Sequence, residues 1–300
     1  MEITSTSNPR VKQWSSLLNR RGREQHAAFM LEGIHLVQEA LESGADVKTV
    51  LYSLDKGIPA ELADYAAAGK NRTPEAAGSA NLAGKNNTSA AAGSAGKNSA
   101  FASAEWIGVS DAVLAKCTET QTPQGVVAVC GTLSWTASQL LEQQDALVVV
   151  VDGVQDPGNL GTIIRTADAA GATGVLLGRG TVDLYNPKTV RSTMGSLFHL
   201  PVAECELARI LPSARERGIR LVGTRLGASR HCYELDMRTS VWFLMGNEGS
   251  GLSPAVEAYV DTDIIIPMRG KAESLNVAVA ASVLLYEAVR QRYFANIKNY

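Results

Sequence analysis

Between residues 147 and 266 the chain carries five short, largely apolar runs: Leu147–Val151, Gly174–Leu177, Arg220–Gly223, Val241–Met245 and Asp263–Ile266. A strand with one wet face alternates apolar and polar residues, whereas a continuous apolar run fits a strand covered on both faces, as in a parallel sheet. Helical stretches at Asn159–Ala170, Pro187–Leu197, Leu207–Arg217 and Pro254–Val260 separate the runs, and a last Ala-, Val- and Leu-rich stretch reaches to about Arg292. The pattern predicts an α/β fold over residues 146–300, a doubly wound, mostly parallel sheet with helices on both faces. Ligands of such sheets bind at the carboxyl ends of the strands.

Upstream, strands at Phe29–Glu32, Val47–Ser53, Glu105–Val109 and Gly125–Cys130 alternate with helices at Ile34–Leu41, Ala60–Ala68 and Ser110–Lys116. This predicts a separate small α/β domain over residues 1–132, with a polar link at 133–145. Residues 67–104 interrupt it with Ala, Gly, Ser, Asn and Lys, and with Gly-Lys-Asn recurring at Gly69, Gly84 and Gly96. Such a composition buries too little apolar surface to offset the cost of ordering, so a flexible insertion is expected. Its lysines read as a solvated spacer more readily than as an RNA contact.

With 45% hydrophobic and 19% charged residues and a net charge of −2, the chain reads as globular, without a global basic signature. Any nucleic-acid surface must therefore be local. The scattered Cys117, Cys130, Cys205 and Cys232 lack C-x-x-C spacing, and the four histidines form no ligand cluster, so no metal is expected. No apolar signal region or membrane-length run is present, and a cytoplasmic location is expected.

The first 25 residues hold Arg10, Lys12, Arg20, Arg21 and Arg23, with Val11, Trp14, Leu17 and Leu18 at helical spacing. That is an amphipathic helix with a basic end, either a phosphate-contacting surface or a solvated helix face; taken alone, the second reading is the stronger.

Three strand-to-helix turns carry the candidate chemistry. The first runs from Asp152 to Ala167; Asn159 is read as the helix cap, and Arg165 follows among Ile163, Ile164 and Ala167. A guanidinium buried there needs a partner, a ligand or else an internal carboxylate such as Asp168 or Glu248. The second turn, Gly246-Asn247-Glu248-Gly249-Ser250-Gly251-Leu252, has the glycine spacing of a P-loop, but Leu252 stands where the lysine is essential. No strand-to-helix turn supplies G-x-G-x-x-G either. The third follows Ile264–Ile266 and Pro267: Ser274 is read as an N-cap, with Asn276 in the first turn of the last helix. An ordinary capped core helix and a helix N-terminus facing an anionic ligand are both open at this point.

Three blocks, Asn159–Ala167, Gly246–Leu252, and Ile266–Met268 with Ser274–Val277, resemble in order and spacing the three motifs of the SpoU family of RNA 2′-O-ribose methyltransferases, in the trefoil-knotted SPOUT superfamily. The N-terminal part resembles the ribosomal-protein-like substrate-binding domain often fused to it. The resemblance implies a C-terminal trefoil knot, S-adenosylmethionine bound near Thr224, Gly246, Ile266, Met268 and Leu275, and a homodimer formed through the C-terminal domain. It further implies Arg165, Asn159, Glu248, Ser274 and Asn276 around the reacting ribose. RNA would be held by the basic N-terminal residues and by Lys188 and Arg191. The large N-terminal domain favours 23S ribosomal RNA; transfer RNA is the alternative, and a non-catalytic RNA-binding protein on the same fold is a further one.

Overall fold

The computed structural model describes residues 1–70, 104–120 and 123–294, and the chain forms two compact units, Met1–Leu133 and Ser134–Tyr300. Most of the expected insertion, 71–103, lies outside the described residues.

In the first unit the elements run β1 (Glu2–Ile3), α1 (Pro9–Ser16), α2 (Arg20–His26), β2 (Ala28–Glu32), α3 (Ile34–Glu42), β3 (Val47–Ser53), α4 (Ala63–Lys70), β4 (Glu105–Val109), α5 (Asp111–Lys116) and β5 (Val126–Gly131). The sheet order is β1-β4-β3-β5-β2; β1, β4 and β3 run parallel, and β5 is antiparallel to both its neighbours. Val11, Trp14 and Leu17 bury against Met30, Leu51, Ile107, Val129 and Val113.

The expected single N-terminal helix is two. Asn8 and Pro9 start α1, whose chain turns at Leu17–Asn19, and α2 packs back so closely that a Cβ on Gly22 would lie 2.1 Å from the Ser16 carbonyl oxygen. A helix end leaves carbonyls without partners. Arg23, only 5% exposed, donates to the carbonyls of Leu17 (2.9 Å) and Leu18 (2.8 Å) there. Arg23 is therefore a structural residue of the turn, not part of an exposed phosphate-binding surface. Arg10 is also engaged: it makes a two-pronged bond to Glu105 (3.1 and 2.5 Å) and lies 5.1 Å over the Trp14 ring. Arg20 pairs with Glu24 at 2.8 Å, while Lys12 and Arg21 are exposed.

The second unit begins inside the expected link, with α6 (Ala137–Leu141), whose Leu140 and Leu141 join the core. It continues β6 (Leu147–Asp152), α7 (Pro157–Ala169), β7 (Gly174–Leu177), α8 (Pro187–Thr193), β8 (Val202–Glu204), α9 (Leu207–Glu216), β9 (Arg220–Thr224), β10 (Val241–Gly246), α10 (Pro254–Glu257), β11 (Thr262–Ile264) and α11 (Val277–Tyr293). The strand order is β11-β9-β10-β6-β7-β8, with every pair parallel. The short edge strand β8 is the one the apolar pattern does not announce. Side chains alternate across each strand: Val148, Val150, Trp242 and Leu244 pack with α6, α9 and α10 in one apolar cluster, and α7, α8 and α11 pack together over the opposite face.

From β6 the chain moves to β7 and β8 on one side; from β10 it crosses to β11 on the other. The connections leaving the carboxyl ends of β6 and β10 therefore diverge, which opens a crevice at the top of the central strands. The last helix is fastened at its far end. Arg292 donates to the carbonyls of Met237 (2.8 Å), Thr239 (2.7 Å) and Asp145 (2.7 Å), and Gln291 donates to Leu235 (2.9 Å).

Helix α7 approaches α8 through Gly161, where a Cβ would lie 2.3 Å from the Ser192 Cβ and 2.8 Å from the Thr189 carbonyl. Gly161→Ala should therefore lower stability by about 1–3 kcal/mol through overpacking, despite alanine's better helix propensity. Chemical denaturation checks this, with Gly270→Ala, which meets nothing within 4 Å, as the neutral comparison.

Candidate active site

The connections after β6, β10 and β11 meet at the crevice, and two helix caps decide which side chains are left for chemistry. Asp156, not Asn159, caps α7: its Oδ1 accepts from the Asn159 N–H at 2.8 Å, and Pro157 occupies the first turn, where no N–H is needed. Asn276, not Ser274, caps α11, its Oδ1 accepting from Ala278 N (2.9 Å) and Val279 N (3.4 Å). Ser274 lies two residues earlier, exposed at the rim of the cleft.

Freed from capping, the Asn159 amide joins the other two connections. Its Nδ2 donates to Glu248 Oε1 at 2.9 Å, and its Oδ1 accepts from Asn276 Nδ2 at 3.0 Å. The other Glu248 oxygen accepts from Gln155 N at 3.4 Å. Burial pushes the Glu248 carboxyl up, but the hydrogen bonds from the Asn159 side chain and from nearby backbone N–H groups outweigh it and hold the group below the usual glutamate range. Glu248 is accordingly an anion near neutral pH.

Beside this junction lies a cleft of about 650 Å³. Thr224, Gly246, Ile266, Met268 and Leu275 all line it, as do Glu248, Ser274 and Asn276. Gly246 is required by the fold of its own turn, since a Cβ there would lie 2.3 Å from Gly251 C and 2.4 Å from Leu252 N.

Arg165 stands apart. It is exposed, and among the described residues no hydrogen bond or ion pair holds it. Six residues beyond Asn159, it is about 9 Å further along α7 and about 120° around it. Ile163, Ile164 and Ala167 are buried while Arg165 turns outward, so the expected internal carboxylate partner is not needed. Asp168 pairs instead with His199 at 3.5 Å, and Glu248 with Asn159. Lys188 is exposed and pairs with Asp156 at 3.3 Å; Arg191 is half-buried. Burial pushes the thiols of Cys117 and Cys205 up to about 11 and that of Cys130 up to about 12, which keeps them protonated.

The pattern of strands and turns did not single out Asp152 and Asn247. Asp152 is 7% exposed and accepts from Ser253 N at 2.7 Å; Asn247 Nδ2 donates to the Gly153 carbonyl at 2.8 Å. Both tie the connection after β6 to that after β10. The available signal was a polar residue at, or directly after, the end of each central strand.

Residues 146–286 match the family model described as the SpoU rRNA Methylase family, and residues 8–128 match the MRM3-like substrate binding domain. The 23S rRNA (guanosine(2553)-2'-O)-methyltransferase RlmP of Bacillus subtilis is 35% identical, the alignment covering 95% of this chain and 98% of that one. This chain belongs to the SpoU methylase family. A 23S rRNA (uridine(2479)-2'-O)-methyltransferase of Streptomyces viridochromogenes is 34% identical, with 97% of this chain and 92% of that one covered. Among solved structures, the SpoU methyltransferase AviRb of Streptomyces viridochromogenes in complex with AdoMet superposes with a TM-score of 0.77 at 32% identity, covering 95% of this chain and 98% of that one. The AdoMet-bound rRNA methyltransferase of Sinorhizobium meliloti does so with a TM-score of 0.78 at 32% identity, covering 97% of each. The SpoU match and the substrate-binding match fall within different compact units of the chain.

Because Glu248 ionises below the ordinary glutamate value, its hold on Asn159 and Gln155 is fully present above that value and is lost as the pH falls through the lowered one. Asn159→Ala removes one of the bonds that outweigh burial, so the Glu248 carboxyl should titrate at a higher pH in that variant. Carboxyl carbon shifts followed by NMR check this; an unchanged or lower midpoint contradicts the bonding described.

Proposed function

We propose that this chain is an S-adenosylmethionine-dependent methyltransferase that modifies a ribose 2′-hydroxyl of RNA, and that its substrate is 23S ribosomal RNA in the cytoplasm. The observation that carries the reading is the bonded series Glu248–Asn159–Asn276, which gathers three sequence-distant connections at the rim of one cleft. Both curated relatives described above carry 23S rRNA 2'-O-methylation in their names, which favours ribosomal over transfer RNA. Among the described residues no helix is long and apolar enough to cross a membrane.

The cleft suits the methyl donor on its own chemistry. Met245, Ile264, Ile266 and Leu275 offer apolar walls for a flat base, and the turn at Gly246–Gly251 and the connection at Ile265–Met268 offer backbone polar groups at its edges. S-adenosylmethionine, when bound, supplies an already activated methyl group. What is left to the protein is to align a ribose oxygen with that methyl and to steady the charge that grows on the oxygen. Asn276, fixed by its cap, and Asn159, fixed by Glu248, orient the ribose; Ser274 is the free hydroxyl beside them. Glu248 remains ionised and keeps the Asn159 amide in one rotamer.

A guanidinium is a poor general base, since it gives up a proton only with great difficulty. The role of Arg165 in this reading is to grip the target phosphate and stabilise the developing alkoxide. Since it points away from Asn159 within one chain, the reading takes Arg165 to act in the site of a second copy, in a homodimer formed through the C-terminal unit. Support comes from α11, where Val279, Tyr286 and Tyr293 recur every seven residues and are 48%, 52% and 69% exposed. The knot is inferred in the same way. Residues 225–240 are bonded at Arg230 and Cys232 to Ile265 and at Leu235–Thr239 to the end of α11, the contacts expected of a loop around a threaded segment. For RNA contact, Lys12, Arg20 and Arg21 remain exposed on the N-terminal unit, with Lys188 on the C-terminal one.

Arg165→Ala should slow transfer of a labelled methyl group to ribosomal RNA by roughly 100-fold or more while leaving cofactor affinity nearly intact. An equal loss of cofactor binding, measured by calorimetry, would contradict the role given to it. Comparing 2′-O-methyl sites in RNA from cells with and without the gene identifies the nucleotide; no missing site in 23S rRNA would overturn the substrate assignment.

A further inference from the structure

We infer that Asn247 is a positioning residue for methyl transfer, acting through Glu248; the inference rests on the functional reading given above. Asn247 follows β10 directly, and one side chain performs two tasks. Its Oδ1 accepts from Gly249 N (2.9 Å), Ser250 N (3.0 Å) and Ser250 Oγ (3.2 Å), which curls the connection back on itself. The backbone closes the same turn, Asn247 N donating to Gly251 O at 2.9 Å and Gly251 N to Asn247 O at 3.0 Å, with Gly251 at φ 72°. Its Nδ2 reaches out of the turn to the Gly153 carbonyl at 2.8 Å, on the connection that leaves β6.

Glu248 is the next residue, and its carboxylate bridges to that same connection and to α7, at Gln155 N and at Asn159. Glu248 itself is exposed on a surface turn, and a long exposed side chain loses rotamer freedom when it is held in one geometry. With Asn247 fastening the root of the turn to Gly153, the Glu248 backbone starts at a fixed distance from its two partners. The residue type is specific to this task. Aspartate keeps the acceptor that curls the turn but has no N–H for Gly153, alanine keeps neither, and glutamine is one carbon too long for the turn.

Asn247→Ala and Asn247→Asp should each slow transfer at saturating cofactor by roughly 10- to 100-fold, the usual cost of a small misplacement. In Asn247→Asp, which keeps the curl of the turn facing the cofactor, cofactor Kd should stay within about threefold. Aspartate, which keeps the curl, should group with alanine and not with the wild type. In a Glu248→Gln background Asn247→Ala should add little, because both changes remove the same hold. A structural readout runs alongside: in Asn247→Ala the Gln155 amide should exchange faster and the Asn159 side-chain NMR signal should move. Wild-type behaviour of Asn247→Asp, additive losses with Glu248→Gln, or unchanged Gln155 and Asn159 signals would each overturn the inference. If the wild-type protein transfers no methyl group to 23S rRNA, it is the functional reading that fails, and the Gln155 and Asn159 signals still decide whether Asn247 holds Glu248.

Discussion

Three stretches of chain far apart in sequence are held at one point by a single primary amide. The Asn159 side chain has an acceptor and a donor, and each is used on a different connection: Oδ1 for Asn276, Nδ2 for Glu248. Apart from glutamine and neutral histidine, no uncharged side chain offers both functions from one rigid plane. Everything beneath serves to bring that plane to the right place. Asp156 takes over the capping of α7, β6 and β10 lie side by side with Asp152 opposite Gly246, and Gly161 lets α7 settle on α8. The caps therefore matter for chemistry as well as for stability: had Asn159 capped its own helix, its amide would have been bound to the backbone instead of spanning the crevice.

The strands and the three turns were legible because their signals are local and additive. A run such as Leu147–Val151 fits a strand buried on both faces, and the sheet bears it out, with every residue of β6 buried. The motif blocks lie where strands end, so the carboxyl-edge rule pointed to the crevice without coordinates. What could not be read is what depends on distance between groups. Ser274 and Asn276 are both good caps, and only the path of the chain from Pro267 decides that the helix starts after Asn276. Arg165 has apolar neighbours in sequence, but helical periodicity turns it outward while they turn inward. In the N-terminal segment, spacing alone made one helix of two, because Gly22 and Arg23 act on residues of the preceding turn by close approach. The three residues of β8 sit at a sheet edge, too short for a periodic signal.

Charge in this protein is used locally. With a net charge of −2 the molecule as a whole does not attract a polyanion, and several of its arginines are already committed to carboxylates or carbonyls. Arg165, exposed on an otherwise well-packed helix, is among the described arginines that no hydrogen bond or ion pair holds. Such an unpaired guanidinium keeps its full hydrogen-bonding capacity.

The Arg292 clasp bears on how the protein is made. Synthesis proceeds from the N-terminus, so a nascent chain acquires β6, α7 and β10 while α11 has still to be translated. Both the Asn276 partner of the Asn159 amide and the donor to the carbonyls of Asp145, Met237 and Thr239 come with α11 and the residue before it. The crevice is thus complete only once α11 is in place, after the sheet that supports it.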